Sequence, residues 1–317
     1  MTKLLNDRNG LFGIWPDVLT PLTADLHVDH HKLHTHVKTL FMKGIEGITV
    51  FGHLGEGPSF SVEEKIETIN NLIKGGVEPQ EIIVGASSPA IADVVKLIKF
   101  GNSIGLHGYL ISPPYYFRDA TDQGMYDFYN EIIKQVGPTK WRMYLHFLTP
   151  ITQIGLPSRT IAELTDRHPK IVAGIVDHGS NLTHTIELAR SFGDKTTIYT
   201  SNEIDLPKVR AIQSTGSICG LANFAPRVVH KLILPPKPSH GPSIPGMNNV
   251  PGDERINQLR GIMGTHPYIP ALKFLLSLVY RDAEWERVRP PLSVINKESH
   301  ENLTKSFKAF DLQTNEE

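Results

Sequence analysis

The chain has 317 residues, 40% of them hydrophobic and 21% charged, with 32 Lys plus Arg against 33 Asp plus Glu. So even a balance gives no field for nucleic acid or an anionic membrane surface; no run approaches the ~20 apolar residues of a membrane helix, and the polar start Met1–Gly10 lacks the apolar core of a signal peptide. What remains is a small molecule or another protein as partner, and because a lone cysteine, Cys219, cannot form an internal disulfide, a cytoplasmic location is expected.

Taken in chain order, short β-rich runs recur, each followed by a helix-like stretch. The expected strands are Ile14–Leu19, Gly47–Phe51, Ile82–Gly85, Gly108–Ser112, Arg142–Phe147, Ile171–Val176, Thr196–Thr200 and Ser217–Leu221. Most are continuously apolar, as strands covered on both faces are. Amphipathic stretches such as Ser61–Lys74 and Ala90–Asn102 lie between them, and Ser61 followed by Glu64 is a capping-box start. Eight βα units in a row predict an α/β fold closed as a (β/α)8 TIM barrel. The doubly wound alternative wants a Gly-rich phosphate loop where this chain has Thr20-Pro21-Leu22-Thr23.

A barrel takes about 250 residues, leaving roughly 60 for an appended element. The stretch Leu234–Asp253 is rich in Pro, Gly, Ser and Asn, and helical patterns return at Arg255–Met263, Tyr268–Tyr280 and His300–Phe310. The expected division is therefore a barrel over 1–234, an irregular loop over 235–253 and a C-terminal helical segment over 254–317, packed on the barrel. Cys219 reads as a buried, inert thiol, Trp141, Phe274 and Trp285 as packing residues, and His30, His31, His34 and His36 as a solvated helix face.

Five segments resemble the dihydrodipicolinate synthase / N-acetylneuraminate lyase superfamily. They are Leu19-Thr20-Pro21, Gly52-His53-Leu54-Gly55-Glu56 followed by Ser61-Val62-Glu63-Glu64-Lys65, Pro114-Tyr115-Tyr116, Gly216 through Pro226, and Arg289-Pro290-Pro291-Leu292. The resemblance implies a carbon–carbon lyase or aldolase acting on a 2-oxo acid through a lysine Schiff base, with a tyrosine shuttling protons and the loop after the second strand holding the carboxylate. It also implies a homodimer or homotetramer, a small carboxylate as ligand, and no cofactor or metal.

The same alignment removes the lysine. The sixth strand reads Gly174-Ile175-Val176-Asp177-His178 where the family reads Gly-Ile-Lys-Asp-Ser, so the Schiff-base position falls on Val176. Lys170 and Lys195 precede their strands, and Lys208 and Lys231 belong to helices. His53 and Leu54 replace the two threonines of the carboxylate loop. His146 stands for the proton-shuttling tyrosine in the gapless reading, Leu145 with a one-residue gap, and Ile151 takes the place of a carboxylate-binding arginine. Tyr116 and His146 are then the acid–base candidates, with Gly52, His53, Leu54, Val176, Asp177 and Ile218 lining the ligand site at the strand C-termini. His53, His146, Asp177 and His178 suit either a new polar pocket or, less well, a divalent metal. Two functions stay open: a lyase-like protein working without an imine, and a non-catalytic ligand-binding or regulatory homologue.

Overall fold

The computed structural model describes residues 10–179, 181–212, 216–233, 252–264 and 266–310. Each apolar run forms a strand, within two residues of its expected limits except that the first ends three residues early: β1 (Gly13–Pro16), β2 (Ile48–Val50), β3 (Ile82–Gly85), β4 (Gly108–Ile111), β5 (Met143–Phe147), β6 (Val172–Asp177), β7 (Thr197–Thr200) and β8 (Gly216–Cys219). Strands β2 to β7 pair in sequence order, all parallel, and β1 pairs with β8. The ring closes at β1–β2 by the Asp17–Thr49 bridge. At β7–β8 the Ser217 hydroxyl donates to the Thr200 carbonyl at 2.8 Å. The result is a (β/α)8 barrel.

The surrounding helices are α1 (His30–Met42), α2 (Val62–Lys74), α3 (Ile91–Ile104), α4 (Asp122–Val136), the single turn α5 (Thr149–Thr152), α6 (Ser158–Arg167), α7 (Leu182–Phe192), α8 (Leu206–Ile212) and α9 (Pro226–Ile233). Side-chain caps satisfy the first backbone N–H groups of several of them: Asp29 for α1, Ser61 with the reciprocal Glu64 bond for α2, Thr121 for α4 and Asn181 for α7. The expected irregular stretch 235–253 lies almost wholly outside the described residues. Beyond it come α10 (Gly252–Met263), α11 (Tyr268–Tyr280) and α12 (Lys297–Phe310). Among the described residues no helix is long and apolar enough to cross a membrane.

Inside the barrel, Leu11, Trp15, Ile83, Leu110, Tyr144, Val176, Tyr199 and Ile218 form a buried plug. The phenols point toward the N-terminal mouth, where the Leu11 N–H donates to Tyr199 at 2.7 Å and His107 Nε2 meets Tyr144 at 3.0 Å. Large rings need small neighbours on adjacent strands. A Cβ on Gly174 would stand 2.4 Å from the Tyr199 ring. We therefore expect Gly174→Ala to cost about 1–3 kcal/mol by overpacking, measured by chemical denaturation. An unchanged midpoint would mean that the ring is free to move.

One reading of the sequence needs correcting. His36 is fully buried, not on a solvated face. Its Nδ1 meets the Tyr280 hydroxyl at 2.7 Å and its Nε2 meets Asn223 Oδ1 at 3.0 Å, with the Trp285 ring edge-on. Clustered histidines at a helix start show no face until the helix is docked; here α1 turns His36 onto α11.

Candidate functional site

Side chains alternate along a strand, so the residues two beyond the plug face the C-terminal mouth. On β5 the register puts His146, two after Tyr144, opposite Val176. Four polar groups follow one another around the ring. Ser112 Oγ lies 3.0 Å from His146 Nδ1, His146 Nε2 lies 2.7 Å from His178 Nδ1, and Ser201 Oγ lies 3.1 Å from the same His178 nitrogen. With both imidazoles neutral, two proton arrangements satisfy the Ser112–His146–His178 segment. Ser112 donates to His146 and His146 to His178, or His178 donates to His146 and His146 to Ser112. Passing between them moves one proton along the chain.

Neutrality is enforced by burial. His146, 2% exposed, is pushed down to about 3, chiefly by loss of water and further by His53. Burial brings His53 to about 4 and takes His178 well below the usual histidine range, the latter with help from His146, His53 and Arg260. The His53 ring stands edge-on to His178 with centroids 6.4 Å apart. Among the described residues no group of three or more His, Cys, Asp or Glu side chains is arranged to hold a metal ion.

A cavity of about 270 Å³ opens above this chain. Ser112, His146, His53 and Gly52 give it a polar face, and Phe51, Leu110, Leu148 and Ile151 an apolar one. At its rim Arg118, in the loop after β4, donates to Gln153 Oε1 at 2.6 Å. Arg118 is the one residue with a permanent positive charge among the described residues lining the cavity.

The loop after β2 is fixed from behind. Glu56, 2% exposed, forms an ion pair with Lys273 of α11, whose side chain is 0% exposed, and accepts the Arg289 N–H at 3.0 Å. Arg289 in turn donates to the Leu26 and Ser59 carbonyls, pairs with Glu64 and lies over the Phe60 ring at 4.0 Å. The Arg-Pro-Pro-Leu ending thus pins the loop and the start of α2.

The residues expected at the site divide. His146, His53 and Gly52 line the cavity. Val176 and Ile218, each 0% exposed, belong to the plug below it. Leu54 is turned into the apolar core at 2% exposure. Asp177 points outward, where its carboxylate accepts the Gly179 N–H at 2.8 Å and the Thr185 hydroxyl at 2.8 Å and meets His184 at 2.9 Å. The alternation that turns His178 inward turns its neighbour out. Tyr116 is 76% exposed and not among the lining residues, whereas Tyr115 is among them.

Four participants escaped the sequence reading: Ser112, Ser201, Arg118 and Asp17. Asp17 carried a signal, being an acidic residue inside the apolar run Trp15–Leu19. It is 0% exposed, and its Oδ2 accepts the Leu54 N–H at 2.8 Å. Two buried lysines were also missed. Besides Lys273, Lys65 of α2 donates to the Gly85 carbonyl at 3.1 Å beside the Phe51 ring, and burial lowers it to about 8. Neither lines the cavity.

The profile of the "Dihydrodipicolinate synthetase family" matches residues 11–310. A 4-hydroxy-tetrahydrodipicolinate synthase of Herminiimonas arsenicoxydans is 26% identical over 222 residues, covering 68% of this chain and 72% of that protein. An uncharacterized DapA-like lyase of Chloroflexus aurantiacus is 25% identical over 217 residues, with the same two coverages of 68% and 72%. Among solved structures, dihydrodipicolinate synthase from Agrobacterium tumefaciens superposes with a TM-score of 0.85 at 26% identity, covering 95% of this chain and 100% of that one.

Proposed function

Because the chain belongs to the dihydrodipicolinate synthetase family, we propose that it is a lyase-like, cytoplasmic barrel protein that takes a small 2-oxo acid or sugar acid into the cavity at the strand C-termini and acts on it without an imine. One observation carries this reading: Ser112 and His146 in the cavity lining begin a hydrogen-bonded chain that runs on to His178 and Ser201, with His146 opposite Val176, the position where the resemblance puts the family's Schiff-base lysine. Valine offers no nucleophile to a keto carbon. When His178 donates to His146 and His146 to Ser112, the Ser112 hydroxyl in the cavity lining is free to donate a hydrogen bond to a substrate oxygen and polarise it, and the chain can relay the proton. Arg118 at the rim is suited to the substrate's carboxylate. The exposed aromatic pair Tyr116 and Phe117, 76% and 54% accessible with ring centroids 5.3 Å apart, supports a homodimer or homotetramer that covers it.

A second reading, a ligand-binding homologue without turnover, is favoured by the same burial: histidines near 3 and 4 are weak bases at neutral pH.

A thermal-shift panel of 2-oxo acids and sugar acids tests the binding claim, since a ligand that prefers the folded state raises its melting point. We expect a saturable rise for at least one acid, weakened about tenfold or more in Arg118→Ala, as loss of a charge-assisted bidentate contact implies. A flat response across the panel would sink the proposal. Borohydride reduction with pyruvate should leave the intact mass unchanged; a retained adduct, mapped by its loss in Lys65→Met or Lys273→Met, would restore imine chemistry. Turnover of a bound acid decides between the two readings.

A further inference from the structure

We infer that Asp17 fills, with the chain's own carboxyl group, an anion cradle formed by the backbone N–H groups of residues 52–55, so that this end of the barrel mouth is closed to a ligand's carboxylate. Four observations meet here. The Leu54 N–H donates to Asp17 Oδ2 at 2.8 Å, and the N–H groups of Gly52, His53 and Gly55 also stabilise its ionised form. Successive N–H groups turned to one side make a concavity selective for anions. The Asp17 side chain is 0% exposed and its Oδ1 has no hydrogen-bond partner, so a carboxyl has been buried at a cost that only the cradle offsets. A Cβ on Gly52 would stand 2.4 Å from Oδ1; glycine at 52 is what lets the carboxyl seat. And Gly52 itself lines the cavity, so the seated group lies immediately behind the cavity wall. Burial raises Asp17 to about 7 against the pull of the four N–H groups.

This inference does not rest on the acid-binding reading, because Arg118 lies in the loop after β4 and outside the cradle. The probes are formate, acetate and pyruvate, compared with chloride at equal ionic strength, and read as melting temperature and calorimetric titration. Asp17→Ala leaves a space the size of a carboxylate facing the same N–H groups. It should gain a saturable response to formate that wild type lacks, by at least about tenfold in apparent affinity. Asp17→Ala with Gly52→Ala, whose methyl occupies that space, should lose the response again. Asp17→Ala with Arg118→Ala should keep it, separating the cradle from the rim. Equal formate responses in wild type and Asp17→Ala, or none in either, would overturn the inference. If Asp17→Ala does not fold in chloride, refolding yield decides. Recovery that depends on formate supports the cradle; recovery indifferent to it, or no recovery in either salt, counts against it.

Discussion

Lys273→Met should lower stability by about 3–5 kcal/mol, the cost of leaving a buried carboxylate without its partner. At roughly 2.1 cal/mol/K of unfolding entropy per residue, that is a fall of about 5–8 °C in melting temperature for a chain of this length. The size of the effect follows from the burial of both charges. The Glu56 and Lys273 side chains are each 0% exposed. Lys273 Nζ spends a second hydrogen on the Arg287 carbonyl at 2.6 Å, and Glu56 Oε2 accepts the Arg289 N–H at 3.0 Å. An exposed pair would be worth under about 1 kcal/mol, so the two cases are easily told apart. Removing both charges is the control: Glu56→Gln in the Lys273→Met background should recover most of the loss, because two neutral groups carry no desolvation debt. A single variant that melts within about 1 °C of wild type would show the pair to be hydrated. The stakes reach beyond stability, since Glu56 holds a left-handed conformation, φ +56°, at the end of the loop that carries Gly52 and His53.

How far the sequence could be read depends on which physical signal each feature left. Buried parallel strands leave a continuous apolar run, and Ile82–Gly85 was legible to the residue. The first strand was overrun: Asp17 belongs to an isolated bridge, Gly13 opens the strand, and Pro16 ends it. Their places at or just after strand ends put His146 and His178 at the barrel mouth, but their mutual contact at 2.7 Å depends on register between strands, which no local pattern encodes. Tyr116 was chosen by alignment over Tyr115; loop geometry decides which ring turns in, and it turned Tyr115. Arg118 went unnoticed because it sits in an irregular loop where exposure is the ordinary expectation. Lys273 was open to detection, a lone cation in the otherwise apolar Tyr268–Tyr280. A charge in such a run needs a buried partner, and Glu56 in a glycine-rich loop was available.

Stability should fall steeply between about pH 6.5 and pH 4, before most surface carboxylates titrate. His36 and His146 are 0% and 2% exposed, and burial holds them at about 4 and about 3 in the folded protein. Unfolded, each titrates near 6.5. Between those values the unfolded chain binds more protons, so stability is present above 6.5 and is lost as pH falls toward the folded values. Each such histidine contributes a slope of about 1.4 kcal/mol per pH unit. His53 and His107, lowered to about 4, and His178, held well below the usual histidine range, add in the same direction. Asp17 works against them. Its folded value of about 7 lies above the 3.8 of an unperturbed carboxyl, so its contribution is fully present below 3.8 and disappears as pH rises through 7. One raised carboxyl offsets one histidine, and the others win. Urea midpoints measured from pH 8 to pH 4.5 should therefore be level above 7 and decline toward acid. In His36→Gln, whose amide can still bond Asn223 and Tyr280, the decline should lessen by the slope of one proton. Midpoints that stay level from pH 7 to pH 5 would mean that the histidines are hydrated and already share protons with water, and the neutral relay that starts at Ser112 and His146 would go with them.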